Sequence, residues 1–154
     1  MSATALRRPA FIPSIIYRDN RAALKWLQRA FGFEPSEVLT DSKDNIVHAE
    51  MTYGDGVVMV GSEFTSWAKS PASVGGSNTQ RVHVRLEKGI DEHCAWARAT
   101  GAKIEMEPAD QFYGDRTYIA VDPEGHHWSF SQSVKAVSVA DMEQATGLKY
   151  KPLE

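Results

Sequence analysis

The chain has a single cysteine, Cys94, among its 154 residues. It cannot form an internal disulfide, so a disulfide-stapled secreted scaffold is excluded and a cytoplasmic location is expected. No apolar run approaches the roughly 20 residues that a membrane-spanning helix needs, so no membrane partner is expected. A basic block is also missing: 17 lysines and arginines face 20 acidic residues, for a net charge of −3. Nucleic-acid binders usually carry a basic stripe, so none is expected as a partner. Gly75-Gly76 lacks both the spacing and the following lysine of a phosphate loop. No nucleophile elbow frames Ser129, and Cys94 lies inside a helical pattern rather than at a helix start. Arg7-Arg8 suggests an export signal, but Pro13 and Arg18 interrupt the apolar stretch behind it. The first nine residues read as a loose arm.

What is present is an ordinary globular composition, 42% apolar and 24% charged, long enough for one domain with a real core. Residues 116–131 (RTYIAVDPEGHHWSFS) organise the rest. They read as strand, tight turn, strand, with proline and glycine supplying the turn. Alternation after the turn sends Trp128 and Phe130 one way and His127, Ser129 and Ser131 the other.

Taken in order, residues 11–17 form a short strand with Pro13 near its start. Asp19 or Asn20 caps a helix over 21–31, which Gly32 closes. Strands come next at 34–40, 46–53 and 57–62, the last two joined by a Gly54-Asp55-Gly56 hairpin signal. The second half repeats this plan with a strand at 81–86, a helix at 90–100, a strand at 103–107 and the organising hairpin. Gly32 and Gly101 share an offset of 69 with Gly56 and Gly125, which suggests an internal duplication. A single domain is expected, with modules 10–62 and 79–133, a polar linker 63–78, and a tail 134–154 whose helix starts at Ser138 and ends at Gly147.

Two β-α-β-β-β modules in this order resemble the vicinal oxygen chelate superfamily of glyoxalases, bleomycin-resistance proteins and extradiol dioxygenases. The resemblance covers about residues 11–132. It rests on HAEMTYGDGVVMVG (48–61), DQFYGDR (110–116) and DPEGHHWSF (122–130), which look like the glyoxalase-like subgroup of unassigned reaction. It implies an α+β fold in which eight strands in mixed sheet curl around a cavity, with helices outside. It also implies a homodimer, and in metal-dependent members four His or Glu ligands. Carried over, those positions fall at Ile12, near Val60, at Ser129 and at a residue nearer Arg81 than His83. Three of the four have no good donor, so no metal cofactor is expected at the family's usual place.

Alternation directs Arg81, His83 and Arg85 to the polar face of their strand and Val82, Val84 and Leu86 to the helix. A cavity lined by His83, Arg85, Tyr113, His127, Ser129 and Glu50 is expected, with Trp67 as a lid or subunit contact. Arg81, Arg85 and Arg116 suit an anionic ligand, and Phe112 with Tyr113 suit a flat one. If there is catalysis, His83 or Glu50 is the general base. Trp26 and Trp96 read as core. Three readings stand. The first is a small-molecule binding protein without the usual metal site. The second is a lyase, isomerase or dioxygenase with a displaced zinc, nickel, manganese or iron set of His48, Glu50, His83 and His127. The third is a scaffold with a vestigial cavity, which should have filled with apolar side chains.

Overall fold

Asp19 accepts a hydrogen bond from the backbone N–H of Ala22 at 2.9 Å, and Gly32 takes a left-handed φ of 76°. Between these two caps lies α1 (Asn20–Phe31), as the sequence pattern requires. The computed structural model describes residues 8–153. Around α1 lie β1 (Ser14–Tyr17), β2 (Glu34–Thr40), β3 (Ile46–Tyr53) and β4 (Gly56–Ser62). The second half contributes β5 (Val82–Arg85), α2 (Ile90–Ala99), β6 (Lys103–Asp110), β7 (Asp115–Val121) and β8 (His127–Ser133), followed by α3 (Val139–Thr146). The fold is α+β, with two four-stranded mixed sheets ordered β1-β4-β3-β2 and β5-β8-β7-β6. No described helix is long and apolar enough to cross a membrane.

The chain divides into two compact units. The first runs to Thr79 and includes Pro123–His126; the second is residues 80–122 with 127 onward. The linker expected at 63–78 therefore belongs to the first unit, and so does the turn between β7 and β8. Glu124 explains the second point. Its carboxylate accepts from the backbone N–H of Arg18 at 2.6 Å, that of Asp19 at 3.0 Å, and the Ser70 hydroxyl at 2.7 Å. His126 Nε2 donates to the Ile16 carbonyl at 2.6 Å, and Asn78 donates to that of Gly125 at 2.8 Å.

In the first unit β1 runs parallel to β4, pairing Ser14 with Met59 and Ile15 with Val60. Ile15, Tyr17, Ala49, Met51 and Val60 are buried with Leu24, Leu27 and Phe31 of α1. The opposite face carries Ser14, Met59, Glu50 and Glu37, which pair in one row across the strands. In the second unit Tyr118, Ala120, Trp128 and Phe130 are buried with Ile90, Cys94 and Ala97 of α2. Its opposite face carries His83, Ser129 and Ile119 in one row and Arg85, Ser131 and Thr117 in the next. The strict period of a strand thus separates a helix-side core from a polar face in each sheet.

Two expectations are corrected. Val60 lies on the core side, and the residue sharing the face that Ser129 occupies in the other unit is Met59. The extra residue in the second hairpin turn shifts the offset from 69 to 70 beyond it. Trp96 is not core: it is 63% exposed, whereas Trp26 is 7% exposed. Trp26 packs edge-on against Phe31 at 5.0 Å.

Candidate functional site

β5 is only four residues long, and its alternation decides what faces out. Val82 and Val84 turn toward the core, which leaves Arg81, His83 and Arg85 exposed on the other side. His83 lies in register with Ser129, and Arg85 with Ser131. His83 Nδ1 is 2.7 Å from Ser129 Oγ, and its Nε2 is 2.9 Å from Ser131 Oγ. Both serines are buried, at 3% and 0% exposure. One ring nitrogen must donate its N–H and the other must accept a hydroxyl proton, so both imidazole positions are engaged. Burial first, then the positive charge of Arg81 and Arg85, pushes the His83 pKa below the ordinary histidine value, against a weaker upward pull from Asp115. Arg85 is held by Asp115 at 3.1 Å and by the Ser133 hydroxyl at 2.6 Å. Arg81 makes no ion pair among the described residues.

The first unit carries a separate cluster on β2 and β3. Glu50 is 4% exposed although it lies on the face away from the helix. Its Oε1 accepts from Arg8 Nη2 at 2.7 Å and lies 3.2 Å from His48 Nε2. Glu37 stands directly across from it in the strand register. The hydrogen bond from Arg8 holds the Glu50 carboxyl below its usual range, against its burial and with help from His48. The lowered carboxyl makes Glu50 a weaker base than an unperturbed glutamate. Among the described residues, the ligand atoms of Glu37, His48 and Glu50 lie within 4.8 Å of one another. Arg8 therefore departs from the loose arm expected over the first nine residues; residues 1–7 lie outside the described ones.

The remaining candidates enter neither of these hydrogen-bond sets among the described residues. His127 shares the Ser129 face by alternation, and its buried Nδ1 has no hydrogen-bond partner among the described residues. His126 is taken up by the Ile16 carbonyl and lies edge-on to Tyr17. Arg116 is on the other face, bound to Asp91 at 2.8 Å and Asp110 at 3.1 Å, so it does not join Arg81 and Arg85. Tyr113 sits exposed on the turn between β6 and β7, edge-on to Phe112. Trp67 is 75% exposed and packs edge-on against Phe64. Burial pushes the Cys94 thiol up, which leaves it inert as a nucleophile.

Sequence reasoning missed five participants, among them Arg8, which reaches Glu50 from 42 residues away. Ser131 and Ser133 were implied by the same alternation that singled out Ser129. Asp115 and Glu37 needed the antiparallel registers, which no local sequence pattern specifies.

The family model for the Glyoxalase/Bleomycin resistance protein/Dioxygenase superfamily matches residues 11–130. The structure is similar to that of TioX from Micromonospora sp. ML1, at 32% identity and a TM-score of 0.67, covering 82% of this chain and 99% of that one. It also shares its fold with a glyoxalase/bleomycin resistance protein/dioxygenase family enzyme from Burkholderia phytofirmans PsJN. That match has 17% identity, a TM-score of 0.62, and coverage of 79% and 95%. An uncharacterized protein of Mycobacterium bovis is 26% identical over 141 residues, covering 89% of this chain and 91% of its own length.

Proposed function

Because the chain belongs to the glyoxalase/bleomycin resistance protein/dioxygenase superfamily, we propose that it binds a small anionic, aromatic molecule on the polar face of β5 and β8, without a metal there. The observation that carries this reading is the exposed row of Arg81, His83 and Arg85 beside buried Ser129 and Ser131. The Arg81 guanidinium offers paired N–H donors to a carboxylate or phosphate, and Arg85, though held by Asp115 and Ser133, adds positive charge beside it. Ser129 is a neutral hydroxyl and a poor metal ligand, and His83 has both nitrogens committed to serines. His127 Nδ1 supplies a further group in want of a partner. Tyr113 adds an exposed ring within the second unit, and a homodimeric state belongs to the same reading, supported by the exposed Phe64–Trp67 pair of the first unit.

Calorimetric titration with benzoate, salicylate and phenyl phosphate in metal-free buffer tests it. Saturable binding is expected, weakened about tenfold or more by Arg81→Ala, the loss typical of one charged hydrogen-bond partner. Heats that do not saturate, or an affinity indifferent to Arg81→Ala, would remove the reading.

A further inference from the structure

Glu37 and Glu50 are directly opposed across β2 and β3. Like charges in that relation repel. Glu50 is also almost entirely out of water, and a carboxylate in that state needs a charged or hydrogen-bonding partner. The row therefore demands positive charge. Here it comes from within the chain: the Arg8 guanidinium rests on Glu50 Oε1, the same oxygen that faces His48 Nε2.

We propose that Glu37, His48 and Glu50 form a binding site for a divalent transition-metal ion of the zinc class, and that Arg8 is a tethered cation competing for it. The guanidinium marks where a cation sits. Glu50 brings one carboxylate, Glu37 brings the second, and His48 Nε2 brings an imidazole nitrogen. One nitrogen and two carboxylates favour zinc, cobalt or manganese over calcium or magnesium, which prefer oxygen donors throughout. Two donors on one tetrahedral zinc ion lie about 3.3–3.6 Å apart. The three side chains already lie within 4.8 Å of one another, so small rotamer changes close the set. Arg8 can leave at little cost, because its side chain is half exposed already. Metal entry and release of the Arg8 segment are then one event, and each opposes the other by the same factor.

The site lies on β2 and β3 of the first unit and does not use Arg81, His83 or Arg85. It therefore stands or falls separately from the ligand site proposed above.

The test is zinc titration by calorimetry on the untagged full chain, with cobalt(II) absorption as a second readout of coordination. Arg8→Gln is expected to tighten zinc about tenfold or more, a typical coupling between competing ligands. His48→Ala or Glu50→Gln, each made in the Arg8→Gln background, is expected to abolish the binding and the cobalt bands. Circular dichroism reports whether Glu50→Gln stays folded; if it does not, the more exposed His48→Ala decides. Absence of saturable zinc binding in both parent and Arg8→Gln would overturn the proposal. So would an affinity that ignores Arg8, or zinc binding that survives His48→Ala.

Discussion

His83 and Ser129 are register partners across the parallel pair β5–β8, and their side chains meet at 2.7 Å. The contact ties an exposed imidazole to a buried hydroxyl, and Ser131 repeats it on the other nitrogen. The ring is thereby fixed between two arginines on a face open to solvent.

That fixation has a pH signature. The His83 pKa is lowered from the ordinary 6.5 by burial and by Arg81 and Arg85. Between the folded value and 6.5 the unfolded chain binds more protons than the folded one, so stability rises with pH through that window. His83 contributes fully above 6.5, and the contribution is lost as pH falls through the folded value. NMR titration is expected to find the imidazole titrating below 6.5, and Arg81→Ala is expected to move it upward. A ring that titrates at or above 6.5 contradicts this geometry.

Glu124 predicts a stability effect in the first unit. Its carboxylate satisfies two backbone donors at the start of α1 and the buried Ser70 hydroxyl. Charge-assisted hydrogen bonds of this kind contribute about 1.5–3 kcal/mol, and the orphaned donors add a cost of their own. Glu124→Ala is expected to lower unfolding stability by about 2–4 kcal/mol in urea titrations. Glu124→Gln should lose less, because its amide oxygen still accepts.

Gly114 gives a backbone test. It takes a φ of 96°, and a Cβ there would run into the carbonyl oxygen of Lys135. Strain of this sort costs about 1–3 kcal/mol before the collision is counted. Gly114→Ala is expected to lower the melting temperature clearly, whereas Gly54→Ala meets only the φ penalty, since nothing lies within 4 Å of its Cβ position.

The two helix tryptophans should separate sharply. Trp26→Ala empties a core position and is expected to cost about 3–5 kcal/mol. Trp96→Ala removes a largely exposed ring and is expected to stay within about 1 kcal/mol. Equal losses would mean that α2 buries Trp96 as α1 buries Trp26.

Much of the fold was legible because its signals are local. Asp19 and Gly32 bound α1, Ser138 and Gly147 bound α3, and period-two alternation sorted Val82 and Val84 from His83 and Arg85. Three features were not legible, each for a non-local reason. Trp96 follows the helical pattern of Trp26 but is largely exposed, and how far a helix face is covered depends on tertiary packing rather than on its spacing. Val60 was placed on the wrong face because one added turn residue reverses which side of a strand a position occupies. The Arg8–Glu50 ion pair joins residues 42 apart in sequence, and no spacing rule reaches that far. Of the candidate site, Ser129, His83 and Arg85 came from alternation alone. Their partners Ser131 and Asp115 became visible only with the β5–β8 and β7–β8 registers.

The central claim is that the β5–β8 polar face recognises an anion without a metal. The most direct measurement is an NMR chemical-shift map of salicylate binding in chelator-treated, metal-free buffer. Saturable shifts centred on Arg81, His83, Arg85, Ser129 and Ser131, unchanged when zinc is added, are the predicted result. Shifts that arise only with zinc present, or that fall away from β5 and β8, would contradict it.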